Sequence, residues 1–205
     1  VGAHVGTRAR AMHARGARVV ACEPQRLFAR YLHTTLPKDI TVVHAALGTT
    51  ETTASMAVSS SHPTVSSLKT DFVSGATSAP GFGHVKWDRQ ENVSVTTLDR
   101  LIETHGVPSY IKIDVEGFEL EVLGGLSQPI EWISVEFLPG FPELTLQVID
   151  RLIELGPYRF NPVVGESARF HWTDWREATQ TREWLQCIPS DSSSSDLFAR
   201  RSHDE

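Results

Sequence analysis

Cysteine is scarce in this chain, and Cys22 and Cys187 are the only two among 205 residues. Two cysteines do not provide the disulfide framework of a small secreted domain, so we expect a reducing, cytoplasmic location. No apolar run approaches the ~20 residues that a membrane-spanning helix needs, and we predict no membrane partner. The formal net charge of −6 lacks the basic excess of a non-specific nucleic-acid binder, so we predict no nucleic-acid partner.

Segments with the patterns of strands and helices alternate along the chain. This alternation is typical of an α/β protein with a parallel sheet, and we expect one domain over residues 1–205. The main strands are predicted over 18–22, 40–47, 93–97, 110–115 and 130–137, with shorter ones over 53–58, 158–164, 169–172 and 197–200. The main helices are predicted over 7–15, 25–36, 98–105, 118–126 and 144–155, with a short one over 182–185.

Residues 59–92 break this alternation. They are rich in serine, threonine, glycine, proline and histidine. A long irregular segment inside a compact domain is usually either a functional loop or disordered. We predict a lid or substrate loop, and an insertion without a role is the alternative. His62 and His84 of this segment could take part in proton transfer, or each could be an ordinary loop histidine.

The segment 110–119 places charges inside an apolar run. Side chains repeat every second residue along a strand, so Lys112, Asp114 and Glu116 are predicted to share one face. Unpaired charges on a buried strand are costly, by several kcal/mol each. The pattern therefore predicts a polar site at the carboxyl end of this strand, where open α/β sheets bind ligands.

Two earlier segments also have the composition of a ligand site. Gly2 and Gly6 flank His4 at the start of a predicted helix, where glycine permits close backbone approach and free N–H groups are available. Glu23-Pro24 ends the next predicted strand, a position from which an acid can bind both hydroxyls of a ribose. Glu23 could equally be an exposed acid that favours the start of the following helix, and His4 could equally face solvent.

The acids near the charged strand also allow structural and metal-binding interpretations. Lys112 could pair with an acid and fix the strand end. Glu116 and Glu119, three residues apart, could face each other on a first helical turn. Together with Asp114 and Glu136, these glutamates could offer oxygen ligands to Mg²⁺ or Ca²⁺. Their spacing matches no known metal-binding loop, so we predict no metal site.

Seven segments, taken in order, carry a family resemblance. They are Val-Gly-Ala-His-Val-Gly at 1–6, Glu23-Pro24, Ala46-Leu47-Gly48, Thr97-Leu98-Asp99, Ile-Lys-Ile-Asp-Val-Glu-Gly-Phe-Glu at 111–119, Val122-Leu123-Gly125 and Glu136. They resemble the FkbM family of S-adenosylmethionine-dependent methyltransferases. The resemblance implies the class I methyltransferase fold, an α/β, Rossmann-like, seven-stranded and mostly parallel sheet with an antiparallel last strand and helices on both faces. The acid that usually opens the glycine motif would precede Val1, so we expect a chain clipped in its first strand.

The resemblance implies an enzyme that transfers a methyl group from S-adenosylmethionine to a hydroxyl of a small molecule such as a polyketide or a sugar. The product of the cofactor would be S-adenosylhomocysteine. By the same resemblance, Gly2, His4 and Gly6 would line the methionine part of the cofactor. Glu23, followed by Pro24, would hold the ribose hydroxyls.

The resemblance also places the reacting end of the cofactor. Ala46 and Leu47 would lie near the adenine, and Asp114 would lie near the transferring methyl group. Methyl transfer requires an acceptor hydroxyl in line with the methyl group and a base for its proton. Asp114, Glu116 and His4 are the predicted catalytic residues.

Two other functions are compatible with the sequence. The first is an NAD-dependent Rossmann oxidoreductase, although the glycine turn lacks the second glycine of the dinucleotide fingerprint and the charged strand argues against it. The second is a non-catalytic cofactor-binding protein, which the clipped start makes more plausible. The sequence predicts no oligomeric state.

Overall fold

The computed structural model describes residues 1–62, 66–68, 85–165 and 167–203. These residues form nine strands and six helices. The strands are β1 (Val20–Cys22), β2 (Thr41–Val43), β3 (Ala46–Leu47), β4 (Thr52–Val58), β5 (Arg89–Thr96), β6 (Tyr110–Ile113), β7 (Trp132–Phe137), β8 (Tyr158–Val163) and β9 (Ser195–Arg201). The helices are α1 (Thr7–His13), α2 (Arg26–Thr35), α3 (Leu98–His105), α4 (Glu119–Gly124), α5 (Pro142–Leu155) and α6 (Ala178–Gln186).

The strands form three separate hydrogen-bonded sheets. β1 and β2 make a parallel pair. In the second sheet β5 lies between β3, which is parallel to it, and β4, which is antiparallel. The third sheet has the order β6-β7-β9-β8, with β6 and β7 parallel and β9 antiparallel to both of its neighbours. The chain is an α/β protein, but the predicted seven-stranded, mostly parallel Rossmann-like sheet is wrong.

The prediction of a single large sheet was wrong because an apolar run indicates that a strand is buried but does not identify the strand that pairs with it. The predicted strand 40–47 is interrupted at His44-Ala45, so that β2 pairs with β1 whereas β3 pairs with β5. β5 begins at Arg89, inside the predicted irregular segment, and pairs antiparallel with β4 along the full length of β4. The predicted strand over 169–172 is also wrong, since no strand covers those residues.

The core packs the third sheet against α4 and α5. Ile113, Ile133 and Leu197 come from three of its strands and are fully buried, and they meet Val122 and Leu152 of the two helices in the same cluster. Burial of this apolar face holds the carboxyl ends of β6 and β7 side by side. None of the helices in the described ranges is both long and apolar enough to cross a membrane.

Strand register decides which charged residues meet at that edge. β6 and β7 run parallel, with Lys112 beside Ser134 and Ile113 beside Val135. The residue that follows Ile113 is Asp114, and the residue that follows Val135 is Glu136, so these two acids are neighbours across the two strands. Side chains alternate between faces, so both acids lie on the face away from the buried Ile113 and Val135.

Candidate functional site

A cavity of about 290 Å³ lies beside the carboxyl end of β6. Its walls come from the amino-terminal turn, the end of β1, the segment around β3, and the turn between β6 and α4. Residues far apart in the sequence thus line one cavity that is partly open to solvent, and their polar groups converge on it.

The amino-terminal turn is clamped between two strand ends. The Gly2 N–H donates to the Cys22 carbonyl at 3.1 Å, and the Val1 amino group donates to the Lys112 carbonyl at 2.8 Å. Gly2 has a φ of +74°, and a Cβ atom there would lie 1.8 Å from the Asp114 carbonyl oxygen. Only glycine fits, so the turn passes against the backbone at the end of β6.

Glu23 is a buried carboxylate held by backbone donors. Its side chain is 3% exposed. Oε2 accepts the His4 N–H at 2.7 Å, and Oε1 accepts the Gln25 N–H at 2.9 Å. Burial raises the pKa of Glu23, and these two hydrogen bonds oppose the rise. The alternative of an exposed acid at the start of a helix is wrong, because Glu23 is buried.

His4 forms part of the cavity wall beside Glu23. Its backbone is left-handed, with a φ of +46°, and its ring packs against Phe28 with the centroids 4.2 Å apart. Burial lowers the pKa of His4, although the nearby charge of Asp114 opposes this. The imidazole is therefore favoured in its neutral form, which can accept a proton.

Three carboxyl groups meet in the wall of the same cavity. Asp114, Glu116 and Glu136 each place an oxygen within 4.8 Å of the others. Lys112 Nζ lies 3.3 Å from Asp114 Oδ2 and 2.5 Å from Asp196 Oδ1, so the predicted ion pair of Lys112 is confirmed. Carboxyl oxygens at this spacing are compatible with a divalent cation, although acidic groups commonly cluster without one.

The turn between β6 and α4 is fixed by Glu119. Its carboxylate is 3% exposed and accepts the N–H groups of Val115, at 3.2 Å, and Gly117, at 3.1 Å. Glu116 lies before the helix with a φ of +53°. The predicted first helical turn shared by Glu116 and Glu119 is wrong, because α4 begins only at Glu119, although the charge of Glu119 still acts on Glu116.

Burial governs the protonation of these acids. It raises the pKa of Glu119 to about 7, that of Glu116 to about 8 and that of Glu136 to about 10. The charge of Asp114 contributes to each increase. The cluster therefore retains protons near neutral pH, which ordinary carboxyl groups would have lost.

Part of the predicted loop 59–92 lies beside the cluster. The Ser67 hydroxyl donates to the Glu116 carbonyl at 2.7 Å, and the neighbouring Ser66 and Leu68 line the cavity. His84 lies outside the described residues. The lid or substrate-loop role stays a prediction.

Most of the predicted site residues share the cavity. Those that line it are Gly2, His4, Glu23, Pro24, Ala46, Leu47, Asp114 and Glu116. Gly6 does not line it: a Cβ atom at Gly6 would lie 2.7 Å from Leu32 Cδ2, so this glycine packs against α2.

The structure adds lining residues that were not among the predicted catalytic or cofactor-binding residues, and they include Met56, Phe118 and Glu136. The sequence does contain a signal for Glu136, because it is an acid within a strongly apolar predicted strand. Phe118 falls within the predicted helix 118–126, and Met56 belongs to β4, whose packing partner the sequence did not give.

Comparison with known proteins assigns the family. The curated proteins and the solved structures give no significant match to this chain. The family model described as the methyltransferase FkbM domain matches residues 1–190 of the 205. The matched range includes every residue that lines the cavity. The chain therefore belongs to the FkbM methyltransferase domain family.

Proposed function

We propose that this methyltransferase uses S-adenosylmethionine to methylate a hydroxyl group of a small molecule in the cytoplasm. The observation that carries the proposal is the buried Glu23 carboxylate, which faces the same cavity as Asp114. A carboxylate fixed by two backbone N–H groups keeps further lone pairs for the hydroxyls of a ribose.

The other walls fit an adenosyl ligand. Ala46 and Leu47 are 5% and 1% exposed and give the cavity an apolar side suited to an adenine. The close approach of the Gly2 turn to β6 leaves backbone rather than side chain next to the ligand. Glu23 would then hold the ribose, and Asp114 would face the reacting end of the cofactor.

The bound cofactor would supply an electrophilic methyl group on a sulfonium. The chain's own residues would position the acceptor hydroxyl and receive its proton. Asp114 is oriented by Lys112 and lies at the strand end, so its carboxyl group has a fixed position. His4 and Glu116 line the same cavity and are the further predicted catalytic groups.

Titration calorimetry of the protein with S-adenosylhomocysteine, S-adenosylmethionine and NAD tests the cofactor. We expect saturable binding of both adenosyl ligands and no binding of NAD. Binding of NAD alone would favour an oxidoreductase. Absence of adenosyl-ligand binding by the full-length protein would contradict the proposal.

The acceptor can be sought by mass spectrometry. The purified protein would be incubated with a metabolite extract and S-adenosylmethionine carrying an isotope-labelled methyl group. We expect the label in an ether of a small molecule. Label found only on nitrogen or carbon would rule out O-methylation.

A further inference from the structure

We propose that the carboxyl cluster of Asp114, Glu116 and Glu136 takes up the proton that leaves the acceptor hydroxyl during methyl transfer. The inference rests on the proposed function and adds Glu136 to the residues that contact the reacting groups. All three side chains line the cavity, and their oxygens lie within 4.8 Å of one another.

The three carboxyl groups lie too close together for all of them to be ionised readily. Asp114, Glu116 and Glu136 each place an oxygen within 4.8 Å of the others. Like charges at this spacing disfavour the fully ionised form, so the cluster favours holding a proton. Oε2 of Glu136 is also buried, and no hydrogen-bond donor of the described residues reaches it. Glu136 therefore has remaining capacity to accept a hydrogen bond.

The surrounding charges explain why that proton is retained. Lys112 is a side-chain cation in contact with the cluster, and it is shared with Asp196 of β9. Glu119 at the start of α4 adds a further acid next to the cluster. The acids that face one another are Asp114, Glu116, Glu119, Glu136 and Asp196. Their mutual repulsion and their burial favour the neutral form of some members.

A positively charged ligand would change how readily the cluster holds its proton. Next to a sulfonium the cluster loses affinity for its proton, because an opposite charge favours the ionised carboxylate. It regains that affinity once the sulfonium has become a neutral thioether. The pKa values of Glu116 and Glu136, already raised by burial, are consistent with a cluster that changes its proton count near neutral pH.

The transfer step then balances. The acceptor oxygen forms a bond to the methyl carbon while the carbon–sulfur bond breaks, and its electron pair stays on sulfur. The hydroxyl proton moves to the carboxyl cluster. A lost positive charge in the cavity is thus replaced by a proton on the enzyme.

The test compares proton release upon binding of the two ligands. Titration calorimetry at pH 7 in buffers of different ionisation enthalpy gives the number of protons released per site. We expect S-adenosylmethionine to release about half a proton or more beyond S-adenosylhomocysteine. Glu136→Gln should remove most of this difference while both ligands still bind. Glu183→Gln, an exposed site on α6, is the matched control and should keep the wild-type difference.

Each outcome is decisive. Equal proton release by the two ligands in the wild-type protein overturns the inference, and an undiminished difference in Glu136→Gln overturns the role of Glu136. If neither ligand binds the wild-type protein, the proposed function fails instead. Circular dichroism checks the fold of each variant. Should Glu136→Gln be unfolded, Glu116→Gln replaces it, and an unchanged difference there also overturns the inference.

Discussion

At the residue scale, Glu23 combines burial with a fixed orientation. Both of its oxygens accept a backbone N–H, so the carboxylate cannot rotate away from the cavity. We expect Glu23→Ala to weaken binding of S-adenosylhomocysteine about 10- to 100-fold. The reason is that hydrogen bonds to a charged group, worth about 1.5–3 kcal/mol, are lost. Titration calorimetry measures the change.

The matched control for this prediction is Glu103→Ala. The Glu103 carboxylate pairs with Arg100 at 2.9 Å on the exposed surface of α3, and Glu103 does not line the cavity. Its removal should leave affinity unchanged. An unaltered Kd in Glu23→Ala would remove Glu23 from the binding site.

Asp114 is the second residue whose role can be isolated. Asp114→Asn keeps the shape of the side chain, and Lys112 keeps its contact with Asp196, so the fold should be retained. Loss of the carboxylate at the reacting end should cut methyl transfer about 100-fold or more. The rate of isotope-label transfer from S-adenosylmethionine measures this. Asp150→Asn, on exposed α5 surface, should be fully active, and full activity of Asp114→Asn would refute the predicted role.

At the element scale, the end of α4 packs directly on the backbone that follows β3. A Cβ atom at Gly125 would lie 2.2 Å from the Gly48 carbonyl oxygen, which belongs to backbone and cannot rotate aside. We expect Gly125→Ala to lower the free energy of unfolding by about 1–3 kcal/mol through overpacking. Urea denaturation measures the free energy of unfolding. Gly140→Ala, where the nearest atom lies at 3.5 Å, should have a smaller effect, and the reverse order would contradict this packing.

At the scale of the whole molecule, the buried acids make stability depend on pH. A carboxyl group whose pKa is raised on folding binds its proton more tightly in the folded state, so stability falls as pH rises from the unfolded to the folded pKa. For Glu119 the window runs from 4.5 to about 7. By linkage, this shift costs the folded state about 3 kcal/mol once both states are ionised.

The ligand-free protein should therefore melt at a higher temperature at pH 5.5 than at pH 8. Scanning calorimetry at the two pH values measures the difference. Glu119→Gln should reduce it, because an amide oxygen can still accept the Val115 and Gly117 N–H groups without titrating. Glu183→Gln should leave it as in the wild type. A higher melting temperature at pH 8 would contradict the assignment.

Local sequence signals were sufficient for several elements around the site. The predicted helix 98–105 is confirmed at both ends, because Thr97 caps its start by accepting the Arg100 N–H and Gly106 ends it with a φ of +86°. The charged strand, predicted over 110–115, is observed over Tyr110–Ile113. Lys112 forms the ion pair with an acid that the sequence suggested. Caps and stops depend on neighbours within one helical turn, and that information is contained in a short stretch of sequence.

The sequence by itself determined the alternation of strands and helices, the family resemblance and the polar character of the end of β6. Only the tertiary structure decided that the strands form three sheets, that Gly6 packs on α2, and that Glu136 meets Asp114. Periodicity reports how buried each residue is, one segment at a time. Strand partners and the protonation of facing acids depend on contacts between distant segments, which exist only once the chain has folded.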